Sequence, residues 1–164
     1  MLMYILKAIE AKNPSKDFCL ISVGRGHTQK DVEQLASKLG VDGKVRFLGQ
    51  RTDVPKLLNA MDMFFLPSLF EGFPIVAIEA QTAGLPLVIA DTISKEVELT
   101  NLVHWLPIDK GAEVWAEKYY QIAHTKVNRV QYAPIVERKG FDARHSAQIL
   151  QDIYVKNILR NENS

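Results

Sequence analysis

Five short apolar runs, Phe18 to Val23, Val45 to Leu48, Met63 to Leu66, Leu87 to Ala90 and Val103 to Leu106, punctuate the first two thirds of this 164-residue chain. Each has the length of a strand and is apolar without alternation, as in strands covered on both faces. Helical patterns lie between them: Gln29 to Leu39 closed by Gly40, Val54 to Ala60, and Ile75 to Ala83 closed by Gly84. Connections of helix length suit crossovers between parallel strands. The expected fold class is α/β, a doubly wound, mostly parallel, Rossmann-like sheet. Ahead of the first run, Met1 to Ile9 reads as an amphipathic helix ending at Asn13-Pro14. Beyond the last, Ala112 to His124 and Ala143 to Ile158 read as helices, the second with Asp142 as its N-cap and a polar tail from Arg160 to Ser164.

About half of the residues are apolar, enough for one domain with a real core and too few for a second full domain. The domain expected is 1–164, with an α/β core over 1–110 and C-terminal helices over 111–164. A net charge of +1 with both signs interspersed leaves no electrostatic footprint for nucleic acid. Cys19 is the single cysteine, so no intrachain disulfide forms; within an apolar run it is expected in the core, and this usage fits a reducing cytoplasm. The opening apolar stretch carries Lys7 and Glu10 and falls short of the roughly 20 residues of a spanning helix. It also lacks a signal peptide's basic start and small-residue cleavage site. The expected location is cytoplasmic.

The most informative stretch is F-L-P-S-L-F-E-G-F-P-I-V-A-I-E-A-Q-T-A-G-L-P, Phe65 to Pro86. A strand gives way to a Gly-Pro turn and then to a helix whose N-terminus faces back toward Glu71. Free N–H groups and the positive end of the helix dipole at such a terminus favour an anion, typically a phosphate. Two glutamates are poor phosphate neighbours, because a carboxylate only accepts hydrogen bonds; paired hydroxyls of a sugar or ribose suit it better. The combination suits a sugar phosphate. Glu79, set among Ile75, Val76, Ile78, Ala80 and Ala83, is expected to be crowded by apolar neighbours and to need a partner, which an ordinary salt bridge or backbone group would also satisfy.

This run resembles the E-x7-E signature of retaining, nucleotide-sugar-dependent glycosyltransferases of GT-B architecture, in the family four group that builds bacterial surface polysaccharides and lipid-linked sugars. The resemblance extends to L-I-S-V-G-R-G from Leu20 to Gly26, V-R-F-L-G from Val45 to Gly49, the helix within Asp53 to Asp62, and A-G-L-P-L-V-I-A-D, covering Leu2 to Pro107 in register. It implies the C-terminal, donor-binding half of a GT-B fold. It further implies that Glu71, the catalytic-site carboxylate, contacts donor-sugar hydroxyls, that Glu79 holds the nucleotide ribose, and that backbone N–H groups of Gly72, Phe73 and Ile75 bind the diphosphate. Pro74 stands where many members have a second glycine and removes one donor from that cradle. On resemblance alone the donor is a uridine-diphosphate sugar, the product a capsular polysaccharide or exopolysaccharide, and the acceptor a lipid-linked glycan at the inner membrane face.

Two further loops end at strand termini, where open α/β sheets bind ligands. Gly24-Arg25-Gly26 could let a phosphate approach the backbone, and in the resembled enzymes this glycine pair lines the donor cleft; a ligand-free tight turn is the alternative. A dinucleotide fingerprint would need glycine at position 29, where Gln29 stands, so a dehydrogenase reading is weak. Arg51, in the loop that borders the nucleotide base in the resembled family, is a candidate contact that a salt bridge to Asp53 would explain equally well. His27, His104, His124 and His145 show no metal spacing, so neither metal nor other cofactor is expected.

The partners implied are a nucleotide-sugar and an N-terminal acceptor-binding domain or chain. The other reading is a noncatalytic α/β binding module derived from such an enzyme. In the resembled enzymes a strand with glycine and basic phosphate ligands precedes the helix matched by Met1 to Ala11, and this chain shows neither. In the 3-2-1-4-5-6 strand order that strand lies centrally, between Phe18–Val23 and Met63–Leu66. Those two strands are therefore expected either to pair with each other or to leave ladder edges open.

Overall fold

A computed structural model describes residues 1–15 and 17–162. Its order is α1 (Leu2–Lys12), β1 (Leu20–Val23), α2 (Gln29–Leu39), β2 (Val45–Gly49), α3 (Val54–Ala60), β3 (Phe64–Leu66), α4 (Ile75–Thr82), β4 (Leu87–Ala90), β5 (Val103–Leu106), α5 (Ala112–Ile122), α6 (Tyr132–Arg138) and α7 (Ala143–Glu162). The five expected strands and the α1 to α5 helices form where the apolar pattern places them, within a few residues at their ends. Helix α6 is the element that the sequence pattern did not reveal.

Every strand pair is parallel, and the strands divide into two sheets, β1–β2 and β3–β4–β5. Thus β1 and β3 do not pair with each other. Of the two outcomes expected for them, open ladder edges is the one found, and residues 2–12 form a helix instead of a central strand. The burial follows: β4, flanked on both sides, is buried at all four positions, whereas β3 is only half-buried throughout.

Helix α1 spans the division. Ile5 and Ile9 belong to the larger core with β4, Trp115 and Leu85, while Met3 and Leu6 join Ala36, Val41 and Val45 in a smaller one. The same helix is clamped to α5 by the Tyr120 hydroxyl donating to the Ile9 carbonyl at 2.7 Å and by a Lys12–Glu117 ion pair at 3.1 Å. The Trp115 ring is fully buried, and its indole N–H reaches the Pro107 carbonyl at 3.2 Å, so a large apolar group enters the core with its polar atom satisfied.

One expectation fails for an identifiable reason. Cys19 is exposed, because β1 starts only at Leu20 and the cysteine lies outside the strand. Helix α7 does not pack on the sheet: its described side chains, including Ile149, Leu150, Ile153 and Tyr154, are exposed. Asp142 does cap it, accepting from the His145 N–H at 3.1 Å. Of the expected polar tail, Asn163 and Ser164 lie outside the described residues.

Helix α4 ends at Gly84, whose φ of +69° allows the Leu85 N–H to reach the Ala80 carbonyl and the Gly84 N–H the Gln81 carbonyl. A Cβ there would stand 2.7 Å from the Arg129 backbone. The approach is fixed from the other side, since the Arg129 guanidinium donates to the carbonyls of Asn59 and Met61 at the end of α3. Gly84→Ala is expected to lower stability by about 3 kcal/mol, combining left-handed strain with overpacking. Gly40→Ala, at φ +71° with open space around it, should cost only about 1 kcal/mol. Urea denaturation of both variants checks the difference; equal losses would remove the Arg129 collision from the explanation.

Candidate functional site

The three loops singled out in the sequence all follow the carboxyl ends of strands. Gly24 to Gly26 follows β1, Gly49 to Asp53 follows β2, and Pro67 to Pro74 follows β3. The first two are held together: the Gly24 N–H donates to the Gly49 carbonyl at 2.8 Å, and a side chain at Gly49 would meet the Arg25 Nε at 3.6 Å. Arg25 thus lies over the loop that contains Arg51. Arg51 itself forms a two-point ion pair with Asp53, Nε to Oδ1 and Nη2 to Oδ2, both at 2.8 Å. The hydrogen bond from Arg51 pulls the Asp53 carboxyl below its ordinary range, and Asp53 raises the guanidinium in return. The salt-bridge alternative for Arg51 is therefore realised. No ladder joins these loops to the third, because β1 and β3 lie in different sheets.

The third loop is built from its ends. The Thr92 hydroxyl, beyond β4, donates to the Ser68 carbonyl at 2.8 Å, and the Ser68 hydroxyl donates to the Phe70 carbonyl at 3.2 Å. Pro74 is buried at the other end and is the N-cap of α4, with an extended ψ of 97°, so the proline stands just before the helix. No side chain caps this helix start. Its Ala77 N–H turns back to the Pro74 carbonyl at 2.9 Å, which leaves the Ile75 and Val76 N–H groups for an anion. Between the anchored ends, Glu71 is half-buried while Gly72, Phe73 and Ile75 are exposed.

Glu79 differs from expectation. Ala77, Ile78, Ala80 and Gln81 turn inward, which leaves Glu79 on the outer face with exposed Ile75 one turn before it. The apolar crowd lies on the far side of the helix and does not bury the carboxylate. Residues four apart share a face. The Glu79 backbone therefore stands about 6 Å along the helix from Ile75, on the same exposed face.

The polar residue that is buried in α4 is Gln81. Its amide N–H groups donate to the carbonyls of Ala77 at 3.1 Å and Val97 at 2.7 Å. Its oxygen accepts from the Leu99 N–H, the Thr100 N–H and the Thr100 hydroxyl, each at 2.9 Å. A polar side chain amid an apolar helix was the available signal for it. Thr92 carried no comparable mark. Among the described residues no group of three or more His, Cys, Asp or Glu could hold a metal, and no helix is long and apolar enough to cross a membrane.

The family model described as "Glycosyl transferases group 1" matches residues 1–124. EpsF of Bacillus subtilis strain 168, a glycosyltransferase by name, is 31% identical over 154 residues, 92% of this chain and 40% of its own. An Escherichia coli enzyme named UDP-Gal:alpha-D-GlcNAc-diphosphoundecaprenol alpha-1,3-galactosyltransferase is 35% identical over 86 residues, 52% of this chain and 22% of its own. Among solved structures, Anabaena HepE in complex with UDP and glucose superposes with a TM-score of 0.69 at 25% identity, over 92% of this chain and 44% of HepE. The chain thus spans less than half the length of these relatives. With such neighbours, the two parallel sheets correspond to the Rossmann-like C-terminal half of a GT-B fold.

Gln81→Leu keeps the side-chain volume but strands the Leu99 and Thr100 N–H groups and the Val97 carbonyl. We expect a loss of about 3 kcal/mol or more in stability, read as a lower urea midpoint at unchanged slope. A loss below about 1 kcal/mol would show that the strand-approach loop satisfies itself without Gln81.

Proposed function

The chain belongs to the glycosyl transferases group 1 family, and on that footing we propose that it is the donor-binding half of a retaining GT-B glycosyltransferase. It would take a hexose from a nucleotide-diphosphate sugar, with uridine diphosphate as the nucleotide, in bacterial capsular or exopolysaccharide synthesis. The observation that carries this reading is the outer face of α4: an uncapped N-terminus behind the Gly72–Phe73 turn, with the Glu79 carboxylate one turn along the same face. The helix end offers N–H donors and a positive dipole to a diphosphate; Glu79 offers two acceptors to a pair of ribose hydroxyls. Glu71, half-buried before the turn, is placed to accept from donor-sugar hydroxyls, making it the catalytic-site carboxylate of this reading. Gly24, Arg25 and Gly26 would line the nucleotide side of the cleft.

Catalysis in this arrangement is positioning plus stabilisation of charge on the leaving diphosphate by preorganised N–H groups. Pro74 contributes no donor but fixes the turn from its buried position. The diphosphate is served by the helix end, so neither metal nor other cofactor enters the reading. The acceptor, a lipid-linked glycan, would be held by an N-terminal domain or chain at the cytoplasmic face of the membrane. The undecaprenol-linked substrate in the name of the E. coli relative supports that choice of acceptor, and the UDP and glucose held by HepE support the choice of donor.

Calorimetric titration of the 164-residue chain with UDP tests the site. Saturable binding is expected, unchanged by EDTA, and Glu79→Ala should weaken it by about 1–3 kcal/mol as a charged hydrogen-bond pair is lost. Unaltered affinity in the variant would return Glu79 to the structural residues. Binding abolished by EDTA and restored by Mg²⁺ would overturn the metal-independent reading. We also expect no sugar transfer from UDP-glucose to lipid-linked acceptor by this chain alone; radiolabelled product in that assay would overturn the need for a partner half.

A further inference from the structure

One aromatic contact reaches the donor turn from a distant part of the chain. The Phe73 ring, in the turn before α4, lies against the Phe141 ring with centroids 5.9 Å apart and planes within 7° of parallel. Both rings are partly open to solvent, Phe73 at 36% and Phe141 at 40% exposure. Aromatic pairs at this separation are attractive in a parallel, offset arrangement. The contact matters because of what else holds the turn. Ser68, Phe70 and Pro74 are anchored by Thr92, by Ser68 and by burial, whereas the exposed Gly72 and Phe73 lie between these anchors, with the Phe73 ring on the Phe141 stack.

The backbone of Phe141 is fixed on both sides. Before it, α6 closes with the Gly140 N–H on the Glu137 carbonyl at 2.9 Å and the Phe141 N–H on the Val136 carbonyl at 3.4 Å. Val136 is buried in the main core, and α6 packs on α4. After it, Asp142 caps α7 through the His145 N–H, while its carbonyl accepts from the Ser146 N–H at 3.0 Å. A ring mounted between a helix stop and a helix cap has little freedom except its own rotamer. It projects onto the turn that precedes the other end of α4.

We propose that Phe141 is a positioning residue for the donor turn: by stacking on Phe73 it holds the Gly72–Ile75 N–H groups in the arrangement that receives the diphosphate. This rests on the donor reading above. The role was not legible in the sequence, because the partner lies 68 residues away, between two segments whose pattern indicates only helices.

The test compares Phe141→Leu, which keeps apolar bulk without a ring face, with Phe141→Ala and Phe141→Tyr. Two readouts are taken on the whole chain. Amide hydrogen exchange without ligand reports the turn itself, and UDP titration reports its consequence. The expected result is faster exchange over residues 70–76 in the Leu and Ala variants with unchanged exchange in β4, a roughly 3- to 10-fold weaker UDP affinity, and recovery of both in Phe141→Tyr. Turn exchange at the wild-type rate in Phe141→Ala overturns the proposal, whatever the affinity does. Equal acceleration in β4 also overturns it, since that marks general destabilisation. A wild-type chain that binds no UDP refutes the donor reading, while the exchange comparison still decides whether Phe141 positions the turn.

Discussion

Five hydrogen bonds to one buried amide hold helix α4 in place. Gln81 faces the core, where an unpaired polar group would be costly, and both ends of its amide are used. The carbonyl oxygen collects donors from the segment that approaches β5, and the N–H groups return to α4 and to Val97. Helix and approach loop are therefore locked in register by a directional network that apolar packing alone would not specify. The diphosphate and ribose contacts of the proposed site depend on α4: its N-terminus, the turn in front of it and the carboxylate on its outer face all move with it. Gly84 and Arg129 fix its other end against α3.

A second constraint is the division of the sheet. With β1–β2 on one side and β3–β4–β5 on the other, no backbone ladder sets the distance between the glycine loops after β1 and β2 and the turn before α4. Continuity comes instead from side chains of α1 that enter both cores, and from Phe18, which packs against each. Side-chain packing is less directional than a ladder of hydrogen bonds. The two groups of candidate donor contacts are consequently joined by a softer element than either is within itself. Within each half the definition is sharp, as shown by the hydrogen bond from Gly24 to Gly49 and by the anchoring of Ser68 by Thr92.

Much of the site was legible because it is local. Strand, turn, helix and stop between Phe65 and Pro86 follow from apolar run length and from glycine and proline placement. The Arg51–Asp53 pair was visible as an alternative because its partners are two residues apart. Glu79 was misjudged in its surroundings although its candidacy stands: one short helix contains many apolar residues, but period 3.6 sends Ala77, Ile78, Ala80 and Gln81 to one side and leaves Glu79 on the other. Cys19 was misplaced by a strand boundary two residues off. Helix α6 was missed because its seven residues make only two turns and include Pro134, so its weak local signal is completed by packing on α4.

The sequence by itself determined the succession of strands and helices through α5, the parallel sense of the strands and the position of the acidic turn at a strand's carboxyl end, since all of these follow from periodicity, helix-length connections and residues that stop helices. Only the tertiary structure decided that the sheet is divided, that α7 stands with its described apolar residues exposed, that Gln81 anchors α4, and that Phe141 reaches Phe73. Each of these depends on groups far apart in the chain coming together. Their energies are set by burial and by hydrogen-bond geometry in three dimensions, which no local pattern encodes.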